Sequence, residues 1–219
     1  MPAARQSPRE RLIDTAADLF YERGLPNVGI NEVTDRAGVA RMTLYNNFDS
    51  KEALALAAFE RQAEARQALF AKRLGRARTA SEAVKSMFDV SEQLATEPGF
   101  CGCAFTNVAV QHPHPEGPMH ALVRAHKAWI RAKFRDIAAW AGHRKPDTVA
   151  QQLLALLDGA SVEAFIQGSV EPIRACKQAP KPFWASHDEL PLRGGPHLPD
   201  ADALRAGAGT APAAGRRCA

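Results

Sequence analysis

Residues 38–54 read GVARMTLYNNFDSKEAL, and this stretch decides the fold. Leu44, Phe48 and Leu54 are spaced as buried anchors, while Arg41, Thr43, Tyr45, Asn46, Asn47 and Lys51 between them all carry hydrogen-bond donors. Gly38 breaks the preceding helical pattern over Ile30 to Ala37, and a third helix follows from roughly Ala40 to Asn47. Two short helices joined by a glycine turn make a helix-turn-helix. Ile30, Val33, Val39 and Leu44 form its small core, and a first helix carrying Leu19 and Phe20 covers the back. In that geometry the third helix is free to enter a DNA major groove with its N-terminal residues leading.

The chemistry of those residues suits the task. Arg41 can give two parallel hydrogen bonds to a guanine edge, and Thr43 offers a hydroxyl or a methyl. Met42 can make only apolar contact, as with a thymine methyl. Tyr45, Asn46 and Lys51 are placed for the phosphates, with Lys51 at the start of a fourth helix where free N–H groups add positive character, and Asn47 is a further DNA-binding candidate. A donor-rich short helix taken alone could equally be a solvated face. The turn glycine, the apolar skeleton and the helix before it favour the groove.

Working outward, the chain of 219 residues is 46% apolar and 24% charged, ordinary for a globular protein with a real core. No uninterrupted apolar run approaches the ~18 residues that span a bilayer, and no apolar segment follows the basic N-terminus. A cytoplasmic protein without a membrane partner is expected. Four cysteines do not imply a disulfide scaffold. Residues 1–50 hold six basic and seven acidic side chains, and residues 51–78 hold seven basic and three acidic. DNA binding by this region therefore depends on a few placed donors rather than on bulk charge.

The expected class is all-α, because no stretch sustains the alternation of a strand. Ser7-Pro8-Arg9-Glu10 is a helix start with a capping box and a proline at the first position, and Gly24 ends that helix. Further helices are expected from Asp49 or Ser50 to at least Leu74, and over about 79–96, 102–111, 118–142 and 146–168. The expected organisation is a DNA-binding domain over 1–50, a connecting helix over 51–78, a larger effector-binding and dimerisation domain over 79–179, and a disordered Pro/Gly/Ala-rich tail over 180–219.

From Leu12 to Leu54 the chain resembles the N-terminal DNA-binding domain of TetR-type bacterial transcriptional regulators. The resemblance rests on AADLFYERG at 16–24, on Val33, and on AGVARMTLYNNFDSKEAL at 37–54. It implies phosphate contacts by Tyr45 and Lys51, a palindromic double-stranded operator, and a homodimer. The chain departs from the family pattern at Gly29 and Ala40, where the family often has Ser or Thr caps. It departs also at Met42, Thr34 and the Asn46-Asn47 pair, where glycine, alanine and a histidine are common. GCAFTNVAV, RAHKAWIRAKFRDIAAWAG and LLDGA resemble one type of C-terminal domain in that family, which binds a small molecule and pairs two chains.

In this second half, Phe88, Phe105, Asn107, Gln111, His126 and Trp129 are the candidate ligand-binding residues, since pockets mix aromatic walls with a few polar handles. Each aromatic could equally be ordinary core. The helices from Pro118 and from Pro146 are apolar on more than one side, as a two-fold helical interface requires. The expected function is a sequence-specific regulator, a repressor released by an effector whose identity the sequence does not give. The alternative is a metal- or thiol-responsive regulator using Cys101 and Cys103, with His112, His114 and His120 nearby in sequence. Two cysteines one residue apart do not close a metal site, so no metal and no cofactor are expected. An enzyme is the remaining alternative, but no phosphate loop, metal cluster or nucleophile motif supports one.

Overall fold

The computed structural model describes residues 6–112 and 114–179. The expected tail over 180–219 lies outside them. Among the described residues the chain is all-helical, with no strand. The helices are α1 (Pro8–Arg23), α2 (Ile30–Ala37), α3 (Arg41–Tyr45), α4 (Lys51–Leu74), α5 (Ala80–Ala95), α6 (Ala104–Gln111), α7 (Pro118–Trp140), α8 (Pro146–Gln167) and α9 (Glu171–Gln178). A single 3₁₀ turn, Leu25–Asn27, joins α1 to α2.

Local chemistry fixes the ends. Ser7 Oγ accepts from the Glu10 N–H at 3.2 Å while the Glu10 carboxylate accepts from the Ser7 N–H at 2.8 Å. The Ser7 N–H and the Ser7 hydroxyl both donate to the Glu10 carboxylate and hold it below its ordinary value. Ser50 rather than Asp49 caps α4, accepting from the Ala53 N–H at 3.1 Å, and Thr79 caps α5. The third helix is shorter than the expected span of residues 40–47. Ala40 has no side chain to cap it, and Asn47 folds back to donate to the Thr43 carbonyl at 2.7 Å. The sixth begins two residues later than expected because Gly102 takes φ +83°, outside the helical region. The sequence reading did not separate α9, which follows the left-handed Gly168 closing α8.

Two apolar clusters organise the bundle. The first joins α1, α2, α3 and the near half of α4 to α6 and the start of α7, through Phe59, Phe105, Val108 and Met119. The second joins Phe70 and Leu74 of α4 to α5, the rest of α7, α8 and α9. So α4 and α7 both run through the two clusters, and the 3₁₀ turn ahead of α2 packs on α6. By length and composition α8 could cross a membrane, even though no uninterrupted apolar run marked it. Here it packs along α7, with Leu153, Leu154 and Leu157 buried. Against α5, α9 is held by Ile173, by the Arg174–Glu92 ion pair at 2.7 Å and by Lys177 on Asp89.

Candidate nucleic-acid interface and internal cavity

The turn between α2 and α3 is set by Gly38 at φ +63°, ψ +43°, and by the Val39 N–H donating to the Thr34 carbonyl at 3.0 Å. Val33 and Leu44 are buried beneath it. With its one buried anchor facing in, α3 turns everything else outward. Arg41, Asn46 and Asn47 are exposed, Met42 is 69% exposed and Tyr45 41%, while Thr43 and Lys51 are half-buried. An exposed methionine at that level on a five-residue helix has no packing role in its own chain. Arg41 donates to the Tyr45 hydroxyl at 3.3 Å and lies 5.6 Å over its ring, so the two side chains are in direct contact. Asn47 is engaged as the C-terminal bond of α3, while Lys51 opens α4.

Charge around α3 is sorted rather than uniform. Arg23 is paired with Glu32, Arg36 with Glu22 at 3.3 Å, and Arg61 with Asp14 at 2.7 Å. Arg41 and Lys51 have no ion pair among the described residues, and neither has Arg9, whose guanidinium lies 5.1 Å over the Phe48 ring. Three cations without an ion pair, Arg9, Arg41 and Lys51, therefore lie near the N-terminal ends of α3 and α4, although the first fifty residues carry no net positive charge. Sequence reading passed over Arg9 because only the fold brings it beside Phe48.

A cavity of about 60 Å³ lies between α4, α5, α7, α8 and the segment 100–105. Of the six expected ligand residues, Phe105 and His126 line it. They stack at 3.8 Å between ring centroids. His126 is buried and its Nδ1 has no hydrogen-bond partner. Burial, then the charges of Lys127 and Arg66, push its imidazole down to about 3. The other four lie outside the lining. Phe88 is core against Phe134, and Trp129 packs on Phe70 under the Lys133 ammonium. Asn107 donates to the Cys101 carbonyl at 2.6 Å, and Gln111 lies against Gly24 at the 3₁₀ turn.

The lining holds charged residues that the sequence reading missed: Arg66, Lys127 and Asp158. Lys127 pairs with Asp158 at 2.5 Å and lies 3.5 Å from Cys103 Sγ. Burial pulls the ammonium down, but Cys103 and Asp158 together outweigh it and hold the group above its ordinary value. A lone aspartate inside the leucine-rich α8 was the available signal. Cys103 lines the cavity, whereas Cys101 turns to the Gly99 carbonyl at 3.2 Å. Among the described residues no three histidine, cysteine or carboxylate side chains converge as metal ligands.

One side chain joins the two regions. Tyr21 of α1 donates its hydroxyl to the Gly102 carbonyl at 2.9 Å and accepts from the Cys101 N–H at 2.8 Å. Burial raises its phenol above the ordinary value. The segment bordering the cavity is thereby hydrogen-bonded to α1, the helix that backs the helix-turn-helix.

Comparison with known proteins agrees with this geometry. Residues 12–58 match the family model described as bacterial regulatory proteins, tetR family. The transcriptional activator FasR of Mycolicibacterium smegmatis is 37% identical over 93 residues, which are 40% of this chain and 42% of that one. The transcriptional repressor KstR2 of Rhodococcus jostii is 40% identical over 52 residues, 24% of this chain and 26% of that one. The matched stretches thus span less than half the length of these curated relatives. A solved TetR-type transcriptional regulator from Streptomyces avermitilis matches far more broadly, at 31% identity and a TM-score of 0.67 over 80% of this chain and 98% of that one. With the family's model over its helix-turn-helix and a likeness that extends over nearly the whole of a family structure, the chain belongs to the TetR family of bacterial regulators.

Proposed function

We propose that the protein is a cytoplasmic, homodimeric transcriptional repressor that binds a palindromic double-stranded operator and is released from it by a small-molecule effector, with no membrane partner. The functional units are residues 1–50 for DNA, 51–78 as the connecting helix, and 79–179 for effector and partner chain. The observation that carries this is the solvent-facing set on α3, Arg41, Met42 and Tyr45, beside the unpaired Lys51. Arg41 and Thr43 read bases, with Met42 on an apolar base edge. Tyr45, Asn46 and Lys51 hold phosphates, and Asn47 keeps the end of α3 in shape.

The cavity beside Phe105 and His126 is the effector site. The Tyr21 bonds to Cys101 and Gly102 support a route from cavity to reading head. An effector that prefers one placement of segment 100–105 thereby prefers one placement of α1.

Selection of bound duplexes from a random library is the test. A palindrome should emerge, and Arg41→Ala should relax it at one position per half-site, a loss of roughly 1–3 kcal/mol of discrimination. Tyr45→Phe should weaken all sequences alike. Enrichment of nothing would remove the recognition role from α3. In Tyr21→Phe the Cys101 N–H and Gly102 carbonyl lose their partner, at a cost of about 1–3 kcal/mol. Its operator affinity should depend less on the effector than the wild type's; an unchanged dependence would place the route elsewhere.

A further inference from the structure

The charges lining the cavity do not balance. Lys127 and Asp158 neutralise one another at 2.5 Å. Arg66 lines the same space from α4, half-buried, with no carboxylate partner among the described residues. His126 lines it from α7, only 4% exposed, with Nδ1 unbonded. Buried polar atoms are nearly always hydrogen-bonded, and a guanidinium drawn partly out of water without an anion is unfavourable. A guanidinium without an anion and an unbonded imidazole nitrogen at one largely apolar cavity therefore point to an acceptor that arrives with the ligand. The other walls, chiefly Phe70, Phe100, Phe105 and Ile130, fit an apolar body.

We propose that the cavity binds a small organic monocarboxylate, an aromatic or short aliphatic acid, whose carboxylate is received by Arg66 and His126. This rests on the cavity being the effector site. The planar guanidinium fork matches a carboxylate with two parallel bonds. One uncompensated positive charge calls for one negative charge. A phosphate dianion would leave a charge unmatched, a neutral ligand would leave Arg66 unpaired, and an amine would be repelled by Arg66 and Lys127 alike. Neutral His126 can present an Nδ1 proton as the second donor. The field of Arg66 also reaches Tyr21. Neutralising Arg66 would thus be felt at the bonds that tie α1 to segment 100–105.

Calorimetry on the full chain tests the ligand class with three matched pairs: benzoate and benzamide, phenylacetate and phenylacetamide, hexanoate and hexanamide. At least one acid should bind tenfold or more tightly than its amide. Arg66→Gln should weaken that acid tenfold or more and its amide less than twofold, and Arg66→Lys should recover part of the loss. The acid-to-amide ratio in the unaltered protein decides the matter even if a variant misfolds. No acid outranking its amide, or an Arg66→Gln protein that binds the acid undiminished, overturns the proposal. Operator selection on the same preparation separates the two readings. A selected palindrome without acid preference removes the ligand class alone, and acid preference without any selected duplex removes the regulator and leaves the ligand class standing.

Discussion

At the scale of single residues, His126 shows how burial turns a side chain into a pH-dependent element of stability. Its imidazole is held neutral in the fold, down to about 3 from its ordinary 6.5. Between those values the unfolded chain binds a proton that the folded chain does not, so stability rises with pH across that window and is lost as pH falls through it. Above 6.5 His126 contributes no slope. The Glu10 and Glu92 carboxylates, held below their ordinary value by Ser7 and by Arg174, add a slope of the same sign only at pH below about that value. Between pH 6.5 and 5 the wild type should lose roughly 1–2 kcal/mol in urea unfolding, while His126→Leu should lose almost none. Parallel curves for the two proteins would show that His126 takes up its proton in the fold. His126 was legible in the sequence as a polar residue on an apolar helix face. Arg66 was not, because in RQAEARQALF it resembles any solvated arginine, and only the crossing of α4 over α7 brings it to the cavity.

At the scale of elements, most boundaries were legible because the chain marks them chemically, as at Ser7-Pro8, Gly24, Gly38 and Thr79. Where marks are missing, the reading overran. Ala40 and Asn47 both fit a helical pattern, yet α3 keeps only five residues: Ala40 has no oxygen to cap its start, and at its end the Asn47 N–H turns to the Leu44 carbonyl while its side chain takes that of Thr43. The expected pocket aromatics illustrate the other limit. Phe88, Phe105 and Trp129 are equally apolar in sequence, and which of them borders a cavity is decided by how helices cross. The uncapped start of α3 yields a prediction. Ala40 has the extended backbone of a cap residue, φ −68° and ψ 146°, without the oxygen. Ala40→Ser should stabilise the protein by about 0.5–1 kcal/mol in thermal or denaturant unfolding. Arg41 and Tyr45 stay where they are, so the selected operator should be unchanged. A serine variant no more stable than the wild type would mean that water already satisfies the α3 N-terminus as well as a hydroxyl would.

At the scale of the whole molecule, α8 presents a largely exposed apolar stripe, with Phe165 at its edge beside Gly102. Val162 is 38% exposed, Phe165 51% and Ile166 68%, and a side chain added at Gly159 would meet open space. Small residues beside large exposed apolar ones let another helix approach closely, and a stripe on one helix pairs with itself about a two-fold axis. Two copies joined there would carry two α3 helices, and half-sites one helical turn apart, ~34–36 Å, give the palindrome its spacing. Ile166→Glu places a charge within that contact and buries nothing in the monomer, so the fold should survive with an unchanged helical signal. Sedimentation should then report a monomer in place of a dimer. Binding to a full operator should fall by on the order of 10²-fold, because the second head loses its effective concentration, while binding to an isolated half-site should hardly change. A dimer that survives Ile166→Glu would move the interface away from this stripe. A monomer that still bound the full operator at wild-type affinity would break the link between pairing and operator recognition.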